Sequence, residues 1–163
     1  MGLFGLFKGH GEPLLKNGSF ENLNAKGNPA NWNCKKCKVV KSGASNAVKL
    51  TAGSYIYQFL THPELKQQPV ARKIKVSFRA AGNGIVNVYA VRYNDTKDAK
   101  ARFGYRRTFF STQQFYKAAL AEKQNLYSCE YTINPDEWIA VRFTVSGGKE
   151  CFLELDDVGV SKL

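Results

Sequence analysis

The sequence predicts an all-β chain folded as a two-sheet antiparallel β-sandwich, a jelly roll, with one short helical insertion around residues 112–125. Two observations carry this. Short apolar or alternating segments recur at the spacing of an all-β protein. In the clearest of them, apolar side chains hold one phase and polar side chains the other, the mark of a sheet with one face on the core.

Residues 1–13 are Gly-rich and end at Pro13, so they read as a flexible leader before a single domain over 14–163. Leu14–Glu21 reads as an opening strand. A turn-rich loop follows, holding Gly27, Pro29 and then Trp32. Strands are expected at 38–41, 47–51, 54–60, 73–80, 85–93, 127–133, 139–145 and 151–160, about the number a jelly roll uses. Ile74, Val76, Phe78 and Ala80 share one face against Lys73, Lys75, Ser77 and Arg79. Ile139, Val141, Phe143 and Val145 likewise oppose Trp138, Ala140, Arg142 and Thr144. In 54–60 both phases are partly apolar, and the inner face stays open. Thr112–Asn125 places Phe115, Ala118, Ala119 and Glu122 near one face of a helix.

The last segment changes phase. Leu153 and Leu155 hold one phase and Val158 and Val160 the other, with the slip at Asp156-Asp157. A bulge there would re-aim a side chain. First and last strands of a sandwich are often neighbours, so Glu21 and Asp156 or Asp157 are expected to meet, and carboxylates brought together favour a hard cation.

The 163 residues suit one domain with a real core. No run of about 20 apolar residues offers a membrane span. The start, Met1–Lys8, is not a convincing signal peptide. It reads as a small amphipathic tip or, in the sharper reading, a membrane- or partner-docking one. Net charge is +11, from 24 basic and 13 acidic residues. Such an excess favours polyanions: nucleic acid, an acidic polysaccharide or an anionic surface. Cys34-Lys-Lys-Cys37 has the spacing of a disulfide loop or half a zinc site, and free thiols are the third alternative. Cys129 and Cys151 do not form a second such pair. The compartment leans to exported.

Four motifs in order resemble one family. Asn17-Gly-Ser-Phe-Glu21 with Pro29-Ala-Asn-Trp32 is similar to the opening of carbohydrate-binding modules of the family 4/9/16/22 type, which are galactose-binding-like jelly rolls. Lys75–Ala80 followed by Gly82–Tyr93 resembles their central hairpin. Trp138–Val145 and Leu155-Asp-Asp-Val158 resemble their closing strands. The resemblance spans about Leu14–Val160 and leaves residues 97–126 without a counterpart. It implies a non-catalytic module that binds a polysaccharide or oligosaccharide. It also implies a structural calcium between the chain ends, with Glu21 and Asp156 as side-chain ligands and Asp157 as the alternate. Asn17 and backbone near Ser19 and Lys49 would complete the shell. The expected setting is secreted or cell-surface, with the cytoplasm as the alternative because no signal peptide is seen, and a catalytic domain of a larger glycan-degrading enzyme is an expected partner.

Sugar recognition needs flat aromatic faces and a few fixed polar groups. The outward candidates are Tyr89, Tyr93, Arg79, Arg92, Asn87, Trp138 and Arg142, with Tyr55 and Tyr57. The resemblance also makes Trp32 and Trp138 core packers. The Arg residues and the charge favour an acidic glycan, such as a uronate or sulfated polymer. An enzyme is disfavoured: there are two His residues, His10 and His62, and no nucleophile elbow, P-loop or HExxH. Two other readings remain. One is an adhesion or assembly module without sugar binding. The other is a basic nucleic-acid binder, for which Arg102–Phe110 interleaves basic and aromatic residues.

Overall fold

The computed structural model describes residues 13–163, so the leader and the apolar start lie outside the described residues apart from Pro13. Ten strands follow in order: β1 Asn33–Lys35, β2 Lys38–Ser42, β3 Ser45–Thr51, β4 Tyr55–Phe59, β5 Arg72–Asn83, β6 Ile85–Lys97, β7 Tyr105–Ala119, β8 Asn125–Ile133, β9 Trp138–Ser146 and β10 Phe152–Lys162. They form two five-stranded antiparallel sheets, β1-β4-β9-β6-β7 and β2-β3-β10-β5-β8. The β-sandwich expected from the periodicity is therefore the fold. No described helix is long and apolar enough to cross a membrane.

The inward phases meet as predicted. Ile74, Val76, Phe78 and Ala80 of β5 face Ile139, Val141, Phe143 and Val145 of β9 within one apolar core. Phe78 packs edge-on against Phe143 at 5.2 Å. Burying each such ring is worth about 1.5–3 kcal/mol. In β4 the core takes Ile56, which turns Tyr55, Tyr57 and Phe59 outward.

The helical insertion is a correction. Residues 105–119 form a long edge strand paired with β6, and 125–133 pair with β5. Two register shifts hide the strand's alternation. Tyr116 pairs with Val88 and Gln114 with Tyr89, leaving Phe115 as an extra residue. Ser111 pairs with Arg92 and Phe109 with Tyr93, leaving Phe110 extra. These bulges give Phe115 and Tyr116 similar burial, which imitates helical spacing. Phe115 packs on Tyr131 at 4.8 Å.

A second correction concerns the opening segment. Leu14–Glu21 forms turns rather than a strand. It still plugs the sandwich: Leu15 and Phe20 are buried, and Phe20 lies 5.3 Å from Trp32. The two chain ends meet there. Val158 N–H donates to Gly18 O at 2.9 Å, and a Cβ on Gly18 would fall 1.8 Å from Val158 O. Only glycine fits that approach. The phase slip in β10 is a register shift between Asp156 and Gly159, as the sequence indicates.

Candidate functional site

The outer face of the β1-β4-β9-β6-β7 sheet carries a row of aligned side chains. Arg142 on β9 stands directly between Tyr57 on β4 and Tyr89 on β6. The next row holds Phe59, Ala140 and Val91. Ala140 and Val91 are short, so the sheet dips between taller neighbours. A groove of about 170 Å³ lies there, lined by Tyr55, Tyr57, Val91, Tyr93 and Arg142. The rings form a continuous path, with Tyr57–Phe59 at 5.5 Å, Phe59–Tyr93 at 5.4 Å and Tyr93–Phe109 at 5.8 Å. Burial pushes the Tyr93 phenol above its ordinary pKa, so it stays a neutral hydrogen-bond donor.

Arg142 is the chemical centre. Its guanidinium lies 5.0 Å from the Tyr89 ring centre and 5.8 Å from that of Tyr55. Among the described residues it forms no ion pair, and its buried Nε has no hydrogen-bond partner. A guanidinium held on rings without a carboxylate suits a planar anionic group brought by a ligand. Lys35, over Tyr55 at 5.7 Å, adds charge at the β1 end of the groove.

The remaining candidates sit elsewhere. Trp138 belongs to the outer face but is fully buried, covered by Phe59, Tyr93, Lys66 and Arg107. Its Nε1–H donates to Asp95 at 3.1 Å. It therefore supports the groove from below. Asn87 is buried too. Its amide donates to Ser146 Oγ at 3.0 Å and accepts from Gln114 at 2.7 Å. Arg92 shares the phase of the core residues Val88 and Ala90, and it makes a bidentate pair with Glu137 at 3.0 and 2.6 Å. Arg79 lies on β5 in the other sheet, paired with Asp157 at 3.3 Å. Arg79 and Arg92 are thus not brought to the groove. Phe59 and Arg107 also belong to this face, which alternation alone does not show, because both phases of β4 are partly apolar and β7 carries bulges.

The chain ends bring together part of the expected cation set. Glu21 Oε1 accepts from Asn46 N–H at 2.9 Å, and Asp156 Oδ2 accepts from Ser45 Oγ at 3.2 Å. Asp156 is buried, and its pKa is raised, first by burial and further by the neighbouring charges of Asp157 and Glu21. The two carboxylates are held on adjacent residues of β3, Asn46 and Ser45, a donor pair that fits a hard ion. Asn17 does not fit. Its amide donates to Asn22 O at 2.8 Å and Ala30 O at 2.7 Å, bracing the loop under Trp32. Asp157, at φ 46°, turns out to solvent and to Arg79. The Lys49 backbone lies in the ladder between β2 and β10. No three His, Cys, Asp or Glu side chains converge among the described residues, so an ion here needs backbone oxygens.

Cys34 and Cys37 are joined as a disulfide, the first of the three states their spacing allows. Cys129 and Cys151 are free, and burial pushes the Cys129 thiol up to about 12.

No known family's sequence profile matches the chain, and no curated protein matches it. Solved structures do. A family 61 carbohydrate-binding module, solved with β-1,4-galactotriose, is 15% identical with a TM-score of 0.55, over 93% of this chain and 99% of that one. The family 22 xylan-binding domain of a Paenibacillus barcinonensis protein is 13% identical with a TM-score of 0.54, over 93% and 95%. The enzymatically active domain of tailspike protein 4 from bacteriophage CBA120 is 18% identical with a TM-score of 0.57. That match takes in 93% of this chain but only 21% of that one. The chain has the β-sandwich fold of carbohydrate-binding modules, in agreement with the motif resemblance.

Proposed function

We propose that the protein is a non-catalytic carbohydrate-binding module whose groove takes an acidic polysaccharide or oligosaccharide. The row Tyr57–Arg142–Tyr89 carries the reading. Tyr57, Tyr89 and Tyr93 offer ring faces to the C–H faces of sugars. The unpaired Arg142 offers a fork to a uronate carboxylate or a sulfate. A neutral sugar would offer that guanidinium only uncharged hydroxyl acceptors, which make weaker hydrogen bonds than a carboxylate or sulfate.

Glu21 and Asp156 would hold a structural calcium, the ion tying the opening loop to β10 and adding its binding free energy to folding. The burial of Asp156 beside Glu21 supports this. A secreted or cell-surface setting fits the Cys34–Cys37 disulfide, and a catalytic domain for glycan degradation is the natural partner of such a module.

Affinity gels containing polygalacturonate, a sulfated galactan, neutral xylan and neutral glucan test the reading. Retardation by the acidic polymers, weakened by salt, is the expected result. Retardation by xylan or glucan alone refutes the acidic preference. No retardation in any gel leaves the groove to an assembly module without sugar binding.

A further inference from the structure

Beyond Tyr93, which pairs with Trp138, β6 leaves β9 behind. Asn94–Lys97 pairs only with Tyr105–Thr108 of β7, a two-stranded arm roughly 13 Å long that projects past the sheet. A bare hairpin is marginal in water. This one is fastened at its root, where the Gln67 amide bonds the Asp95 backbone, and near its tip, where Arg106 pairs with Asp98 at 3.0 Å.

The surface of this β6–β7 hairpin is unlike the rest. Every exposed large aromatic among the described residues lies on it: Phe103 at 81%, Tyr105 at 56%, Phe109 at 54% and Phe110 at 40%. Exposed rings cost the free protein solvation and mark a contact surface. The cations Lys97, Lys100, Arg102 and Arg107 have no carboxylate partner among the described residues. A surface of rings and unpaired cations complements a polyanion with flat repeating units.

The arm is continuous with the groove. Alternation puts Tyr105, Arg107 and Phe109 on the groove side of β7. Phe109 touches Tyr93, a groove wall, at 5.8 Å. The Arg107 guanidinium sits 4.5 Å from the Phe59 ring centre and 4.8 Å from that of Trp138, at the junction.

We propose that the β6–β7 arm is a second binding platform, on which Tyr105, Arg107 and Phe109 take the acidic glycan chain as it leaves the groove. This rests on the reading of the groove as a sugar site. The module would then recognise a run of charged sugars rather than a chain end, and its affinity would grow with chain length.

Calorimetry with oligogalacturonates of three and ten residues tests this on the wild-type chain and on two variants, Y105A/F109A and K100Q/R102Q. The wild-type chain is expected to bind the ten-residue oligomer about tenfold more tightly than the three-residue one, the size of one or two ring contacts. Y105A/F109A should lose most of the gain with length. K100Q/R102Q, at the exposed tip and away from the groove, should keep the short oligomer within about twofold and lose part of the gain. Equal affinity of the wild-type chain for both oligomers overturns the arm, as does an unchanged length gain in both variants. Failure to bind either oligomer overturns the groove reading and the arm with it. Pelleting with phosphatidylserine vesicles that depends on Phe103 and Tyr105, without a length gain, assigns the arm to a membrane surface instead. Binding to single-stranded DNA in place of both oligomers assigns it to nucleic acid.

Discussion

Replacing Arg142 with Met separates two roles a half-buried arginine can have. A structural arginine leaves acceptors orphaned when removed, at about 1–3 kcal/mol each. Arg142 leaves none that the structure shows, because no described carboxylate or carbonyl accepts from it. Met keeps the contact with the Tyr55 and Tyr89 rings that the alkyl stem and guanidinium now make. Stability to urea should therefore stay within about 0.5 kcal/mol of the wild-type value. Binding should not. A charge-assisted hydrogen bond contributes about 1.5–3 kcal/mol, so affinity for oligogalacturonate should fall about tenfold to 150-fold. R142K, which keeps the charge and loses the planar fork, should lie between. Calorimetry reads affinity, and equilibrium unfolding followed by Trp fluorescence reads stability. Affinity within twofold of wild type in R142M refutes the argument. So does destabilisation by several kcal/mol, which would make Arg142 a prop for the sheet.

Three further outcomes follow from other sites. Calcium at a hundred times its dissociation constant should add about 2.7 kcal/mol, which raises Tm by about 5–11 °C for a chain of this size; D156N should abolish the rise in differential scanning calorimetry. Arg72 is buried and donates to four backbone carbonyls, those of Leu65, Lys66, Asn134 and Glu137, so R72M should cost at least about 3 kcal/mol in urea unfolding, and a loss below about 1 kcal/mol would show that water replaces the clamp. With its thiol at about 12, Cys129 should react with iodoacetamide at pH 8 roughly a thousandfold more slowly in the native chain than in urea, as peptide mass spectrometry would show.

The inward faces of β5 and β9 were legible because strict alternation survives where both neighbours of a strand are paired. The Asp156-Asp157 slip was legible for the same reason, since one inserted unit in a regular pattern is easy to see. β7 was illegible because its two extra residues are both Phe, so the bulges add apolar residues at the wrong phase. The row Tyr57–Arg142–Tyr89 was half legible. Alternation shows which side chains leave the core, and it cannot show which sheet they leave from. Arg79 and Arg142 are equivalent by pattern and stand on opposite faces of the molecule. Arg92 departs from the expectation that a charge faces outward, because its phase matches Val88 and Ala90 and Glu137 compensates its burial. Asn17 was misplaced because an amide suits a loop brace as well as a cation, and its partners come from residues five and thirteen positions on.

β7 is 15 residues long and has a neighbour on one side only. A flat edge of that length is a template on which a second copy can add a strand, and growth by that route leads to fibres. The bulges at Phe110 and Phe115 break the ladder of free N–H and C=O groups into shorter, twisted lengths. Lys117 and the Arg106-Arg107 pair set like charges against any identical strand approaching in parallel register. The feature that concealed the strand from its own sequence thus also conceals its edge from other copies of the chain.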